Sequence, residues 1–411
     1  MRPIFYGWWI VIATFTLVLC AYGTYYTLPV FYPALKAEFT WSRTQLSGVG
    51  SLVLLATGLF SPIAGWLTDH YGARVSLALG SSMSAAALLC MSALQKLSHL
   101  YLAAILFGVG MAGLSVLPVQ MLIAKWFVRR RGLATGIVIS GMGLGGTVGS
   151  VVVAALVAAQ GWRSSFLYEG VFLFLSGLLL AIFVLREAPS ERGLDPDGGL
   201  IVLASSSTGE SGTPGLSFPE ALRSSAFWLL GFSSFCATSA GIGVIQHLVL
   251  YMGTLKYELP RASLMLSTLL FSSVLGRAGF GWLSDWLSRR HTLVLAYCAL
   301  GLGTTLLVLG RGKTALLVMA ITVGLGYGGS IVLLALTAVE VFGTKSLGKI
   351  LGTLLIFFTA GGSLGPVLVG VLSDHFGNYY FGFLPLPAVA FTGAALLLIM
   401  PKPPIQPVTP G

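Results

Sequence analysis

The chain has 411 residues, 56% of them hydrophobic and only 9% charged, with a formal net charge of +10. A soluble domain carries about a quarter charged residues, so this composition excludes an ordinary water-soluble fold. The positive balance raises nucleic-acid binding as a question, which the positions of the basic residues answer below.

A spanning helix needs roughly 20 predominantly apolar residues. Twelve such runs follow one another, at about 8–33, 46–68, 75–94, 100–124, 133–159, 165–185, 226–252, 263–284, 292–310, 315–339, 350–372 and 380–400. The first is longer than a signal-peptide core and has no small-residue cleavage site after it, so it reads as a retained span. It carries Tyr22, Tyr25 and Tyr26 just before Leu28 and Pro29. Phenol hydroxyls near the midplane suit a small polar solute, whereas aromatics at span ends serve as interfacial anchors.

The loop after the second span reads Gly65-x-Leu67-x-Asp69-x-x-Gly72-x-Arg74. Its glycines permit a tight turn, and an acid and a base at a helix end can pair with a neighbouring bundle and latch one closed state. Gly65, Asp69, Gly72 and Arg74, with Asp285 and Arg131, are therefore candidate gating residues, against the plainer alternative of a solvated turn. Pro118 is expected to kink the fourth span, as membrane helices tolerate. The segment running from Lys125-Trp126-Phe127-Val128-Arg129-Arg130-Arg131-Gly132-Leu133-Ala134-Thr135-Gly136 into SGMGLGG opens the fifth. The four cysteines all lie inside apolar runs, where a thiol behaves as a small buried hydrophobe, and no cofactor or metal site is implied.

The stretch from Arg186 to Arg223 is the one long polar interval, rich in Ser, Gly and Pro. It divides the chain into an N-terminal bundle of six spans at 1–185, a cytoplasmic linker at 186–225 and a C-terminal bundle of six at 226–411. The halves correspond at an offset of 216 residues. Gly65-Trp66-Leu67-Thr68-Asp69 returns as Gly281-Trp282-Leu283-Ser284-Asp285, Gly108 and Gly110 as Gly324 and Gly326, and Gly132, Gly136 and Gly145 as Gly348, Gly352 and Gly361. Such glycines let membrane helices approach closely. Duplicated halves imply a solute path where they meet. With the N-terminus inside, 14 basic residues, Arg2 and Lys402 among them, fall in inner segments and 8 in outer ones. That bias orients both termini in the cytoplasm and makes the surplus charge topological, against a nucleic-acid role.

The 65–74 loop with its partial copy at Gly281–Arg290 resembles the signature loop of the major facilitator superfamily. The Lys125–Gly136 segment resembles the fifth-span motif of the monocarboxylate porter family. Tyr6-Gly7-Trp8-Trp9 matches that family's first-span motif loosely and lacks its acid. Glu38-Phe39-Thr40-Trp41-Ser42-Arg43 is similar to bacterial members, including the oxalate/formate-exchanger branch. The resemblance implies an all-α membrane fold of twelve helices in two pseudo-symmetric bundles, multi-pass in a bacterial inner membrane and not an enzyme.

Arg277 lies well inside the eighth span, about 20 Å from its outer end at helical rise. A charge at that depth costs at least about 2.5–3.5 kcal/mol and by default has a partner. That partner is a carboxylate substrate held through bidentate N–H···O bonds, or an acid such as Glu169 or Glu340, or else the side chain snorkels toward the inner surface. The resemblance assigns the arginine on this span to the substrate carboxylate. His247 beside Gln246 can donate to a carboxylate or carry a proton, or it can simply pack. Glu258 near the outer mouth is a second proton-coupling candidate. Tyr327, Tyr22, Tyr25, Leu28, Gln120 and Leu144 complete the candidate lining. Where animal members carry a lysine and an acid, this chain has Val30 and Ser273, so their proton relay does not carry over.

The expectation is a secondary transporter, a monomer in membrane lipid. It moves a small organic anion such as lactate by proton symport or anion exchange. Alternatives are a dicarboxylate exchanger, a porter of another small solute, or a non-transporting membrane sensor.

Overall fold

The computed structural model describes residues 5–198 and 215–401. Arg2, Lys402 and the middle of the expected linker lie outside the described residues. Among these residues the secondary structure is helical apart from one isolated bridge between Gly215 and Gly343. The N-terminal helices are α1 (Gly7–Phe39), α2 (Arg43–Tyr71), α3 (Ala73–Ser92), α4 (Leu97–Gly113), α5 (Val116–Trp126) and α6 (Arg131–Leu179). A short α7 (Phe218–Arg223) precedes α8 (Ser225–Thr254), α9 (Leu259–Leu283), α10 (Arg289–Leu309), α11 (Gly312–Phe342), α12 (Leu347–His375), α13 (Tyr379–Phe383) and α14 (Pro385–Leu398).

Among the described residues, eleven helical stretches are long and apolar enough to cross a membrane. The longest, Arg131–Val184, contains both the fifth and sixth expected spans, which reconciles that count with twelve. Its corner is a single residue, Gly161, at φ 81° and ψ 166°, a conformation that L-residues with a Cβ seldom adopt. Gly377, 216 residues later and also at positive φ (74°), turns the chain between α12 and α13. The fourth expected span is two helices. Its axis breaks at Leu114–Ser115, where Ser115 is extended, and Pro118 falls in the first turn of α5 instead of kinking a continuous rod. Proline is well tolerated there because first-turn N–H groups have no helical acceptor.

The chain forms two compact units. The first comprises Met1–Trp41, Gly48–Ser206 and Glu258–Ser263, and the second Ser42–Ser47, Ser207–Tyr257 and Leu264–Gly411. In the first, α1 runs along α6 and α3 packs on both α4 and α6. In the second, α8 runs along α12 and α14 and α10 packs on both α11 and α14.

The same backbone contacts recur at the 216-residue offset. A methyl group placed on Gly108 would strike the Val53 carbonyl and Ala56, and one on Gly324 the Leu269 carbonyl and Ser272. Gly145 faces the Leu19 carbonyl and Gly361 the Phe235 carbonyl, while Gly110 meets Gly80 and Ser84 where Gly326 meets Ala296 and Leu300. Every one of these neighbours is itself displaced by 216, so the duplication lives in atomic packing as well as in sequence. Close approach is the physical need for glycine here, because lipid supplies no hydrophobic drive between helices and packing must hold them.

Large apolar side chains face outward in helical register: Tyr168, Phe172, Leu175, Leu179 and Phe183 along one stripe, and Leu59, Ile63 and Trp66 along another. Stripes of this size would drive aggregation in water, and they are the surface hydrocarbon requires.

Candidate substrate site

In the second unit, α9 approaches α11 closely on one side. A methyl on Gly276 would strike the Leu325 carbonyl, and one on Gly328 the Ser273 carbonyl. This crossing holds the next residue, Arg277, in place. Arg277 is 8% exposed and is the only charged side chain in the buried set among the described residues. Of the two acids considered as partners for it, Glu340 in the same unit lies 3.9 Å from Arg289 Nε, and Glu169 in the first unit accepts a 3.0 Å hydrogen bond from Thr27. Tyr327 on α11 is buried, its ring resting where Gly241 of α8 has no side chain. Gly241 thus gives this tyrosine its seat.

His247 on α8 is fully buried, and protein groups meet both of its ring nitrogens. Nε2 lies 2.8 Å from the Pro366 carbonyl and Nδ1 3.3 Å from the Tyr379 hydroxyl. A carbonyl only accepts, so Nε2 carries the proton in this arrangement and Nδ1 accepts from the phenol. Arg43 and Asp374 belong to the same corner. The Arg43 guanidinium sits 4.8 Å from the Tyr379 ring centroid and donates to the Ser373 carbonyl. Asp374 accepts from the Arg43 and Thr44 N–H groups and the Thr44 hydroxyl. The histidine is therefore one member of a polar cluster, which a search for lone titratable groups in apolar runs does not reveal. Glu258, the other proton-coupling candidate, is exposed just before α9.

In the first unit Tyr25 and Leu28 are buried on α1 and Tyr22 is half-buried. Tyr25 and Tyr26 meet edge-on at 5.2 Å, and Tyr22 and Tyr26 at 6.4 Å. Leu144 is half-buried on α6 next to Gly145, where α1 crosses at Leu19, and Gln120 is half-buried on α5. The structure thus puts Tyr22, Tyr25 and Leu144 on one helix crossing of the first unit, and Arg277 and Tyr327 on two packed helices of the second.

The gating candidates divide. Asp69, Asp285 and Arg131 are exposed, whereas Arg74 is engaged inside its own unit, its Nε donating to the Ala181 carbonyl at 2.6 Å. Arg290, 216 residues on, donates in the same way to the Leu398 carbonyl. Both arginines thus tie the start of one span to the end of another within one bundle.

The organiser of the first loop is Glu187, which the sequence reading absorbed into the linker. Its carboxylate accepts from the Ala73 and Arg74 N–H groups at 3.0 and 3.1 Å and pairs with Lys125. Gly72, at φ 88°, leaves the room this carboxylate occupies. The acid so caps α3 and complements its dipole. Burial pushes its carboxyl up, but the Lys125 ammonium and the two N–H donors outweigh that and hold it below the usual glutamate range. An acid directly after an apolar run, facing a helix start, is the signal that could have found it.

Glu187→Gln is expected to cost about 1–3 kcal/mol, the range for buried groups that lose charged partners. Because the folded carboxyl binds its proton less readily than the unfolded one, the stabilisation is present above the ordinary glutamate value. It is lost as pH falls through the lower folded value. Thermal melts in detergent should therefore show a gap between native and variant at neutral pH that closes on acidification; a gap independent of pH contradicts the assignment.

Two bundles that repeat each other's helix contacts, clothed in apolar stripes and holding among the described residues one charged side chain in the buried set, fit a polytopic membrane carrier. The family model described as Major Facilitator Superfamily matches residues 14–366 and 262–411, and the chain belongs to that superfamily. Among curated proteins it is 27% identical over 402 residues to "Monocarboxylate transporter 12" of Homo sapiens, covering 92% of this chain and 77% of that protein. It is 26% identical over 404 residues to "Monocarboxylate transporter 13" of Bos taurus, covering 96% and 89%. Among solved structures it resembles a bacterial homolog of the human lysosomal transporter Spinster in an inward-facing, occupied conformation. The TM-score there is 0.76 at 16% identity, with 97% of each chain covered. The unoccupied form of that protein gives 0.72 at 17% identity, covering 97% of this chain and 95% of that one. The chain is thus a multi-pass membrane transporter, not an enzyme, homologous to the monocarboxylate transporters.

Proposed function

We propose that this transporter carries a small monocarboxylate of the lactate type by alternating access, and that Arg277 takes the carboxylate. The observation that carries the proposal is the burial of Arg277 as the only charged side chain in the buried set among the described residues. A guanidinium offers a fixed fork of donors that matches a carboxylate, and an ionisable side chain kept within an apolar span despite its cost marks a functional site. The names of the curated relatives point to the same substrate class. In the second unit Tyr327 and His247 are the further candidates to meet the solute, and in the first unit Tyr22, Tyr25, Leu28, Gln120 and Leu144 are the candidates. The 14-to-8 distribution of basic residues in the sequence favours termini on the cytoplasmic side.

A dicarboxylate would favour a second buried cation, so one arginine favours one carboxylate. Counterflow in liposomes with radiolabelled mono- and dicarboxylates, with and without a pH gradient, tests this. Monocarboxylates are expected to exchange at least about tenfold faster, the factor that about 1.4 kcal/mol of unmatched charge supplies. Faster dicarboxylate exchange selects the alternative substrate class. Acceleration by a pH gradient identifies symport, and a strict need for internal anion identifies exchange.

A further inference from the structure

Glu169 is an acid inside the sixth span with no evident structural purpose. It sits on the second limb of α6, between lipid-facing Tyr168 and buried Gly170. Its Oε1 accepts the Thr27 hydroxyl at 3.0 Å, and its Oε2 is buried with no hydrogen-bond partner. Thr27 is fully buried on α1, and its methyl group fills the space beside Gly149 on the first limb of α6. One turn further along the same seam Phe31 and Phe166 stack at 3.7 Å, closing it with two aromatic faces.

Among the described residues no charged side chain pairs with the acid. Within their apolar lengths α1, α3 and both limbs of α6 present only tyrosines (Tyr22, Tyr25, Tyr26 and Tyr32 on α1, Tyr168 on α6) and the thiols Cys20 and Cys90 as titratable neighbours. Their charged residues, Lys36, Glu38, Arg74, Arg131 and Arg163, lie at helix ends, with Lys125 on α5. Against α3 this part of α6 meets Ala85 and Leu89. A carboxylate ion in such a setting costs at least about 2.5–3.5 kcal/mol, and one hydroxyl donor does not offset that. Binding a proton removes the cost. A group whose burial and charge are linked in this way is what a carrier needs to exchange a proton only when its bundle opens to water.

We propose that Glu169, hydrogen-bonded by Thr27 on the α1–α6 seam, is the proton-carrying group of the transport cycle. This rests on the monocarboxylate reading above and narrows it to proton symport. The chemistry is a single proton: it binds the carboxylate from one side of the membrane and leaves to water on the other, with no bond to the substrate.

The test uses the full chain, native and as Glu169→Gln, in two assays. In proteoliposomes with labelled lactate, the variant is expected to keep counterflow within about twofold of native and to lose at least about nine-tenths of accumulation driven by a pH gradient, since exchange needs no proton release and net symport does. Infrared spectra of the purified native chain are expected to show a carboxylic-acid C=O band that bleaches as pH is raised and is missing in Glu169→Gln. Thr27→Val, which keeps the shape and removes the donor, should displace the pH of half-bleaching. The proposal is overturned if Glu169→Gln still accumulates lactate under a pH gradient, or if no such band is lost with it. A native chain with the band but without lactate flux supports the proton site and refutes the substrate reading instead.

Discussion

Arg277→Ala is expected to lower monocarboxylate counterflow by about 10- to 100-fold. Charge-assisted bonds of a guanidinium to a carboxylate contribute about 1.5–3 kcal/mol, and each 1.4 kcal/mol is a factor of ten. Arg277→Lys keeps the charge but not the fork, so it should recover part of the rate, chiefly at high substrate concentration. Misfolding would be a trivial cause of the loss, and the physics separates the two. Removing a charge from within an apolar span relieves an insertion cost, so the alanine variant should melt no lower than native in detergent while failing to transport. Native counterflow in Arg277→Ala would remove Arg277 from the site.

The second large effect concerns the duplicated glycines. Gly145→Leu and Gly361→Leu each drive a side chain into a backbone carbonyl, Leu19 in the first unit and Phe235 in the second. A carbonyl in a helix cannot rotate aside, so the helices must separate. Overpacking of that kind costs about 1–3 kcal/mol per site, expressed as lower yield of folded protein and an earlier melt. Gly136 and Gly352 are the internal controls, since nothing lies within 4 Å of a methyl placed on either. Gly136→Ala and Gly352→Ala should be neutral or stabilising by up to about 1 kcal/mol, the propensity difference in a helix. If the two classes of glycine respond alike, the packing seen at Gly145 and Gly361 is not what the sequence repeat records.

Hydropathy revealed the number and order of the spans because the membrane reads composition one stretch at a time. It missed what pairs of residues decide. The helices overrun the apolar runs, α1 by six residues at its C-terminal end, Phe39 against an expected 33, since helical hydrogen bonding continues into the polar interface. The break at Ser115 and the one-residue corner at Gly161 are dihedral choices that apolar counting does not register. The glycine matches were legible, but their contacts separate a packed set from an open one, a distinction absent from spacing. Arg277 was legible from its cost alone. The partners of His247 and the hold of Glu187 on α3 were not, because each is made by residues more than 100 positions away. Arg74 turned out to be bonded within its own bundle. The expectation that it pairs with a neighbouring bundle came from a loop motif that does not say which carbonyl is nearest.

The corner at Gly161 has a practical side. Its twin Gly377 turns with nearly the same φ, yet different groups dock around each: Trp162 and Arg163 hold Glu38 beside the first, and Asn378 caps α13 beside the second. A hairpin whose bend is one residue long at Gly161, or three from Phe376 to Asn378, has no slack into which an epitope tag or a reporter domain can be spliced. Tags placed at 161 or 377 would unseat two spans at once. Mapping which side of the membrane each connection faces should therefore use single-cysteine labelling at these corners.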